Sequence, residues 1–550
     1  RSAPLAMALA RHPAIRVFTH IDERSGSFFA LGLARRTETP VAILCTSGTA
    51  AVQFHAAVVE AFHSATPLLV LTADRPPELR DVGAGQTIDQ VNLYGAATRW
   101  SCDFGVPATV QGSDRVWRRL AARAVATSAG PPAGPVHLNI SFREPLVTEP
   151  GVVPEAIPGR GPLVLAASIT APTEAQVDEV SKLVASARRP MLVLGEMRNG
   201  ARLADAIAAL TDGAGAIVVA EPTSQLRRAT IPGLVVSAEG LLRDPGFAAA
   251  HAPDLVLRLG GTPTSKVVNQ FLAAHPPRDM VLVDPLGEWN DPDAVSTVAL
   301  RSDAGLLLEA IRLQIAGAGA GPAAWQRDWV EADGVAGAAV DSALDASPLF
   351  EGHAVRALAR ALPSESTVVA GNSMPVRDVD WFWPADPGRR FLASRGASGI
   401  DGLISMGLGV GAASPEPTAV VVGDLTLYHD MNGLWAIRRH RLNPLIVVLN
   451  NNGGGIFSFL PQAEHRDVFD EVFGTPLDLD LQKVAGLYGL RYVKVTEAAG
   501  LDAALVTGLG ERIPTMVDVQ FSREASVAGH RRVWTTVGAA LSGRSSVSPG

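Results

Sequence analysis

Short apolar runs recur along this chain and alternate with longer helical stretches; Ala419-Val420-Val421-Val422 and Leu445-Ile446-Val447-Val448-Leu449 are the clearest. Runs of this kind suit strands buried on both faces, which belong to parallel sheets flanked by helices. The fold class expected is therefore α/β. The first third offers strands at Val41–Thr46, Leu68–Thr72 and Val136–Ile140, and the middle third at Met191–Gly195, Ile217–Ala220, Leu255–Leu259 and Met280–Asp284. The final third adds Thr367–Ala370, Ala419–Gly423, Leu445–Asn450 and Met516–Gln520.

A chain of 550 residues exceeds what one hydrophobic core supports. Pro145–Pro162 reads as a linker, and the low-complexity stretch Ala316–Ala324 as a second junction. Three domains follow, at 1–150, 165–325 and 345–540, each on a mainly parallel sheet, with a frayed polar tail over Ser542–Gly550. The chain opens on Arg1-Ser2-Ala3-Pro4 without a methionine, and the expectation is that an opening strand of the first domain is missing.

Composition excludes several classes. A net charge of −8 without a compensating basic stripe argues against a nucleic-acid partner. No apolar run is long enough to span a bilayer, and Cys45 and Cys102 alone cannot build a disulfide framework or a cysteine zinc site. A reducing cytoplasm is the expected compartment. Only four lysines occur, at 182, 266, 483 and 494.

In open parallel sheets ligands collect beyond the carboxyl ends of the strands. Two such ends stand out: Gly423-Asp424-Leu425-Thr426 after one apolar run, and Asn450-Asn451-Asn452-Gly453-Gly454-Gly455 after another. Twenty-seven positions separate Asp424 from Asn451, enough for one helix and a return strand. Both polar tips then lie at one sheet edge, on neighbouring or nearby strands. One carboxylate, one amide oxygen and a glycine-rich backbone form an oxygen-only set of the kind magnesium takes together with phosphate oxygens. Either tip alone is most simply an Asp turn or a capping Asn; the pair is not.

Gly423-Asp424 through Asn450-Asn451 resembles the motif of thiamine-diphosphate-dependent enzymes, with Leu425 where glycine is commonest. The resemblance implies thiamine diphosphate with Mg2+ (or Mn2+) as cofactors, and Asp424, Asn451 and the Gly453 carbonyl as metal ligands. It also implies the thiamine-diphosphate-binding fold in the first domain, for the pyrimidine, and in the third, for the diphosphate and metal.

Such enzymes need a glutamate against the aminopyrimidine. Val17-Phe18-Thr19-His20-Ile21-Asp22-Glu23-Arg24 puts an acidic pair at the end of an expected apolar strand, before an expected helix Ser27–Arg36. Locally, helix capping explains Asp22 and Glu23 equally well. Context favours catalysis. Thr46-Ser47-Gly48-Thr49-Ala50, Thr72-Ala73-Asp74-Arg75-Pro76-Pro77, Gly83-Ala84-Gly85-Gln86, Gly371-Asn372-Ser373 with Arg377, Ser394-Arg395-Gly396-Ala397-Ser398-Gly399-Ile400-Asp401-Gly402 and Gly455-Ile456-Phe457-Ser458 occur in order. Together they resemble the family of 2-succinyl-5-enolpyruvyl-6-hydroxy-3-cyclohexene-1-carboxylate (SEPHCHC) synthases of menaquinone biosynthesis, over nearly the whole chain and least in the middle domain.

That resemblance implies decarboxylation of 2-oxoglutarate and 1,4-addition of the succinyl unit to isochorismate. Both substrates carry carboxylates, which arginine binds through paired hydrogen bonds while staying protonated. By resemblance Glu23 activates the cofactor, Ser373 and Arg377 take the succinyl carboxylate, and Arg395 lies in the substrate pocket. Arg1, Ser2, Arg75, Gln86 and Lys266 belong to the isochorismate side. Thr49, Ile400, Gly423, Leu425, Thr426, Ile456 and Phe457 join the cofactor site, with Ile400 supporting its bent conformation and Phe457 walling the substrate. The bland readings are a turn braced by Arg75, an ion pair of Arg377 with Asp378 or Asp380, a sheet edge covered by Lys266, a frayed Arg1, and Phe457 and His20 as packing residues. Gly85 stands where the family often has Asn, which bears on isochorismate affinity more than on reaction type.

Gly407-Leu408-Gly409-Val410-Gly411 precedes a strand instead of following one, so tight helix packing explains it better than a dinucleotide loop. Another thiamine-diphosphate decarboxylase or carboligase would not need Arg377, Arg395 and the Ala397–Gly402 segment, and a non-catalytic relative would have lost Glu23 or the metal ligands. The resemblance further implies a homodimer or homotetramer, with cofactor sites between chains.

Overall fold

The computed structural model describes residues 1–107, 110–147, 168–228, 230–315, 323–386, 388–510 and 512–544. Sixteen strands are described among them, in three sheets whose pairings are all parallel. The first sheet holds β1 (Val41–Cys45), β2 (Leu68–Asp74), β3 (Trp100–Asp103) and β4 (Pro135–Ser141) in the order β1-β2-β4-β3. The second holds β5 (Pro190–Leu194), β6 (Ile217–Ala220), β7 (Leu234–Val235), β8 (Leu255–Leu259), β9 (Asp279–Val283) and β10 (Val298–Leu300), ordered β10-β9-β8-β5-β6-β7. The third holds β11 (Thr367–Ala370), β12 (Arg390–Ala393), β13 (Thr418–Gly423), β14 (Leu445–Asn450), β15 (Arg491–Val495) and β16 (Thr515–Gln520), ordered β12-β11-β13-β14-β16-β15.

The eleven apolar runs expected from Val41 onward are all strands, with ends shifted by two residues at most. The five strands that sequence reading did not find, β3, β7, β10, β12 and β15, all lie at sheet edges. An edge strand has one neighbour and need not be apolar throughout, so its signal is weak. One expectation is overturned: Val17–Ile21 is not a strand. Phe18 and His20 turn their rings onto Phe29, with centroids 5.0 and 4.6 Å apart, while Ile21 faces outward. Side-chain packing holds this segment in place of a ladder. The helix expected from Ser27 begins earlier, at Glu23, and runs to Thr37. The linker reading over Pro145–Pro162, the junction over Ala316–Ala324 and the tail over Ser542–Gly550 lie mostly outside the described residues, though Ala323 and Ala324 already begin a helix.

By packing, the chain forms two compact units. The first comprises Arg1–Ser168, Ser394–Pro415 and Thr426–Leu442. There helix Glu23–Thr37 lies against helix Leu403–Ala413 at backbone contact distance: a Cβ on Gly32 would sit 2.0 Å from the Met406 carbonyl oxygen, and one on Gly409 2.0 Å from that of Phe29. The glycine run at 407–411 thus serves close helix packing, as its position before a strand implied.

The second unit comprises Ile169–Ala393, Glu416–Leu425 and Asn443–Gly550 and contains the second and third sheets. One apolar core joins them, from Met191, Val219 and Val256 to Val368, Val421, Val447 and Val517. Arg227 is the polar tie. Its guanidinium donates to the Ala220 carbonyl at 3.0 Å, to the Asp380 carbonyl and carboxylate at 2.6 Å each, and to the Trp383 carbonyl at 3.1 Å. Removing either partner of this buried pair would leave an uncompensated charge, which is what makes the tie costly to break. It fixes helix Met374–Phe382 against the end of β6. On that helix Asp378 meets His530 Nε2 at 3.0 Å, and Ser526 joins His530 to Glu351. Among the described residues no helix is long and apolar enough to cross a membrane.

Burial, and secondarily the neighbouring Asp378, push Glu351 up from 4.5 to about 7. The folded chain then holds a proton that the unfolded chain releases, so this group's stabilising contribution is full below about pH 4.5 and is lost as pH rises to about 7. Denaturant titrations of the parent and Glu351→Gln should diverge across that window, the parent losing up to about 1.4 kcal/mol per pH unit relative to the variant. A constant difference would show that Glu351 is ionised in the fold.

Candidate active site

The order of the third sheet reverses between β11 and β13, and their carboxyl ends open a crevice of the kind ligands enter. β13 and β14 pair with Gly423 opposite Leu449, so the expectation of neighbouring strands holds. Asp424 begins helix Asp424–His429 and is buried; its Oδ2 accepts the Gly453 N–H at 2.6 Å. Burial is the main reason its carboxyl stands at about 6, against the lowering effect of the Gly453 and Leu425 N–H groups.

The three asparagines that follow β14 separate by their bonding. Asn450 donates to Asp518 at 2.9 Å, and Asn452 donates to Asp478 at 2.9 Å while accepting from the 477 and 478 amides. Asn451 Oδ1 is buried and has no hydrogen-bond partner among the described residues. A buried carbonyl oxygen without a partner and a buried carboxylate are oxygen donors of the kind a hard divalent cation takes. Gly453 has φ +135°, and a Cβ there would lie 1.9 Å from the Gly474 carbonyl, so only glycine lets the loop turn back here. Gly423 and Leu425 are half-buried beside Asp424, Thr426 is buried, and Ile456 and Phe457 sit half-buried in the turn Gly455–Phe459.

At the end of β11, Ser373 holds φ +71°, a strained value for a side-chain-bearing residue, and its carbonyl accepts from Arg377 one helical turn on. The structure thus brings Ser373 and Arg377 together. The acids beside Arg377 are committed elsewhere, Asp378 to His530 and Asp380 to Arg227, so the solvated ion pair suggested by adjacency is not what they make. Lys266 is exposed at the first position of helix Lys266–Ala274.

In the first unit, a second cluster surrounds the turn after β1. Arg75 donates to Ser47 Oγ, Gln86 Nε2 donates to the Ser47 carbonyl at 2.9 Å, and Gly48 N–H is taken by Gln90 Oε1 at 2.8 Å. Arg75 is held below its ordinary range by burial and then by Arg1. Arg1 donates to the Phe142 carbonyl at 3.3 Å and Glu144 at 2.9 Å; Ser2 immediately precedes helix Ala3–Arg11, and Thr49 is exposed at the start of helix Thr49–Val52. Gln90, one of the most buried polar residues, was missed because an isolated glutamine in a polar loop carries no pattern.

Glu23 is half-buried at the first position of its helix, and Asp22 makes the cap, accepting from Ser25 N–H at 3.2 Å. The turn is tied from outside: Ser25 Oγ donates to Asp430 at 3.1 Å, and Arg24 to the His429 carbonyl at 2.7 Å. Asp430 also accepts the Ser405 amide at 2.6 Å. His20, pushed down to about 4 chiefly by burial, packs against Phe29 and His440. Arg395 and Ile400 are half-buried in the loop that ends at Gly402, whose φ is +66°.

Oxygen donors at two adjacent strand ends of the third sheet and, in the first unit, a carboxylate at a helix start are features of the kind the thiamine-diphosphate class requires. Residues 1–93 match the thiamine pyrophosphate enzyme N-terminal TPP binding domain, and residues 374–519 the corresponding C-terminal TPP binding domain. The benzoylformate decarboxylase of Polynucleobacter necessarius shares the fold, with a TM-score of 0.71 over 95% of this chain and 94% of that one, at 18% identity. The SEPHCHC synthase of Geobacillus kaustophilus is 42% identical over 98% of this chain and 93% of that protein, and that of Haloarcula marismortui 38% identical over 99% and 94%. This chain belongs to the SEPHCHC synthase family.

A Cβ on Gly402 would fall 1.9 Å from the Phe28 ring, at a φ that other residues resist. Gly402→Ala is expected to destabilise the first unit by about 2–4 kcal/mol, read as a lower midpoint in thermal or denaturant unfolding. A parent-like midpoint would mean that the loop does not seat on Phe28.

Proposed function

We propose that this chain is a SEPHCHC synthase, a thiamine-diphosphate-dependent transferase that decarboxylates 2-oxoglutarate and adds the succinyl unit 1,4 to isochorismate, releasing CO2. The observation that carries the metal half of the reading is the unpartnered, buried Asn451 Oδ1 beside Asp424. Asp424, Asn451 and the Gly453 carbonyl would hold Mg2+ (or Mn2+) and through it the diphosphate, with Gly423, Leu425 and Thr426 beside them. Bound thiamine diphosphate supplies the nucleophile and electron sink for the decarboxylation.

The remaining roles belong to this chain's side chains. Glu23 holds a proton at the pyrimidine N1′, and the strapped turn around it keeps that carboxylate in place. Ser373 and Arg377 bind the distal carboxylate of 2-oxoglutarate, and Arg395 shares the pocket; arginine supplies charge there without becoming a proton donor. Arg75, Gln86, Arg1, Ser2 and Lys266 take isochorismate, Arg75 and Gln86 converging on the turn at Ser47. Thr49 and Ile400 support the cofactor, and Ile456 and Phe457 keep water from it. The reading places pyrimidine binding in 1–150, a central domain in 165–325, and diphosphate and metal binding in 345–540. The enzyme would work in the cytoplasm as a homodimer or homotetramer, each cofactor site drawing Glu23 from one chain and Asp424 from its partner.

A coupled assay with 2-oxoglutarate and isochorismate, omitting thiamine diphosphate or Mg2+ in turn, should lose activity with either omission; activity after exhaustive removal of both overturns the reading. Glu23→Gln should bind the cofactor yet exchange its thiazolium C2 proton at least about a hundredfold more slowly. Asn451→Ala should raise the Mg2+ concentration needed for half-maximal cofactor binding by tenfold or more, at about the cost of one lost ligand. Unchanged Mg2+ dependence would remove Asn451 from the metal.

A further inference from the structure

Helix His55–His63 carries a single acid, Glu60, and that acid is 3% exposed. Its carboxylate faces a distant segment. Oε1 accepts the Gly396 N–H at 2.8 Å and Oε2 accepts the Ala397 N–H at 2.6 Å. Arg35 Nη1, equally buried, lies 3.8 Å from Oε1. Two consecutive amides bound by the two oxygens of one carboxylate fix both the position and the direction of the intervening peptide, and each bond is charge-assisted. The contact leaves no slack: a Cβ on Gly396 would sit 2.6 Å from the Glu60 carbonyl oxygen and 2.7 Å from the Ser64 nitrogen.

The residue immediately before this clamp is Arg395. Ile400 lies at the other end of the loop, where Gly402 has its own seat on Phe28. The two ends are therefore anchored separately, the arginine end by charge and the cofactor end by packing. We infer that Glu60 is the positioning residue for Arg395, holding the loop backbone so that the guanidinium is presented to a substrate carboxylate. The inference rests on the reading of Arg395 as a substrate-pocket residue. An arginine displaced by an ångström loses its paired geometry, so the effect belongs to substrate use and not to cofactor activation.

The test uses the full-length holoenzyme and compares the parent with Arg395→Ala, Glu60→Gln, Gly396→Ala and the Glu60→Gln/Gly396→Ala double variant. KM is measured for 2-oxoglutarate and for isochorismate, and thiazolium C2–H exchange is followed by NMR. Glutamine matches glutamate in size but sets an NH2 group against one of the two amides, so the fold is retained while the clamp is broken. Glu60→Gln and Gly396→Ala should each raise, by about tenfold, the KM of the same substrate that Arg395→Ala affects, with exchange at the parent rate. The double variant should do no more than the stronger single one, because both act on one contact. A parent-like KM in Glu60→Gln, exchange slowed in step with KM, or additive single effects would each overturn the inference. An Arg395→Ala variant with parent KM for both substrates would instead bring down the site reading on which it stands.

Discussion

The bond from the Gly453 amide to Asp424 organises the catalytic end of the third sheet. It draws the glycine loop after β14 across the end of β13 and commits one oxygen of a buried carboxylate. The Asn451 oxygen is left with no hydrogen-bond partner among the described residues. Asn450 and Asn452 spend their side chains on the protein itself, so three adjacent residues of one type divide into two that build the loop and one whose oxygen stays unused within it. A buried carbonyl without a partner is costly unless something completes it. The parallel sheet makes this affordable by stacking strand ends in one crevice.

Around that crevice the fold keeps charges from cancelling one another. Asp378 and Asp380 lie one and three positions after Arg377 in sequence, yet one meets His530 and the other Arg227. In His530, Nδ1 faces the Ser526 carbonyl and must carry a proton, so the contact between Nε2 and Asp378 needs a further proton on one partner or the other. Burial drives Asp378 well upward, consistent with a shared proton there. The same logic recurs in the first unit, where Asp430 and Glu60 each use both carboxylate oxygens on groups far away in sequence. Carboxylates thus serve this protein as struts between distant segments.

Much of this was legible from the chain alone, for identifiable reasons. Central strands of parallel sheets are mostly apolar because both their faces are covered, and the eleven runs expected from Val41 onward are strands. Five of the six edge strands, paired on one side only, carried no such mark; β1 is the edge strand that did. Val17–Ile21 had the composition of a strand but found ring contacts with Phe29 instead of a ladder. That the strands ending before Asp424 and Asn451 are close neighbours followed from their spacing, and β13 and β14 pair in parallel with Gly423 opposite Leu449.

The sequence by itself determined the α/β class, the sheet-forming segments, and the residue types at the strand ends, because these depend on local composition and on short-range spacing. Its motifs also carried the family, since ordered segments leave little room for coincidence. Only the tertiary structure decided which asparagine is unsatisfied, where the acids beside Arg377 turn, and that Glu60 reaches Gly396 and Ala397 across more than three hundred residues. Those are contacts between segments distant in the chain, and a lone acid in an apolar helix looks the same in sequence whether it faces solvent or holds a loop.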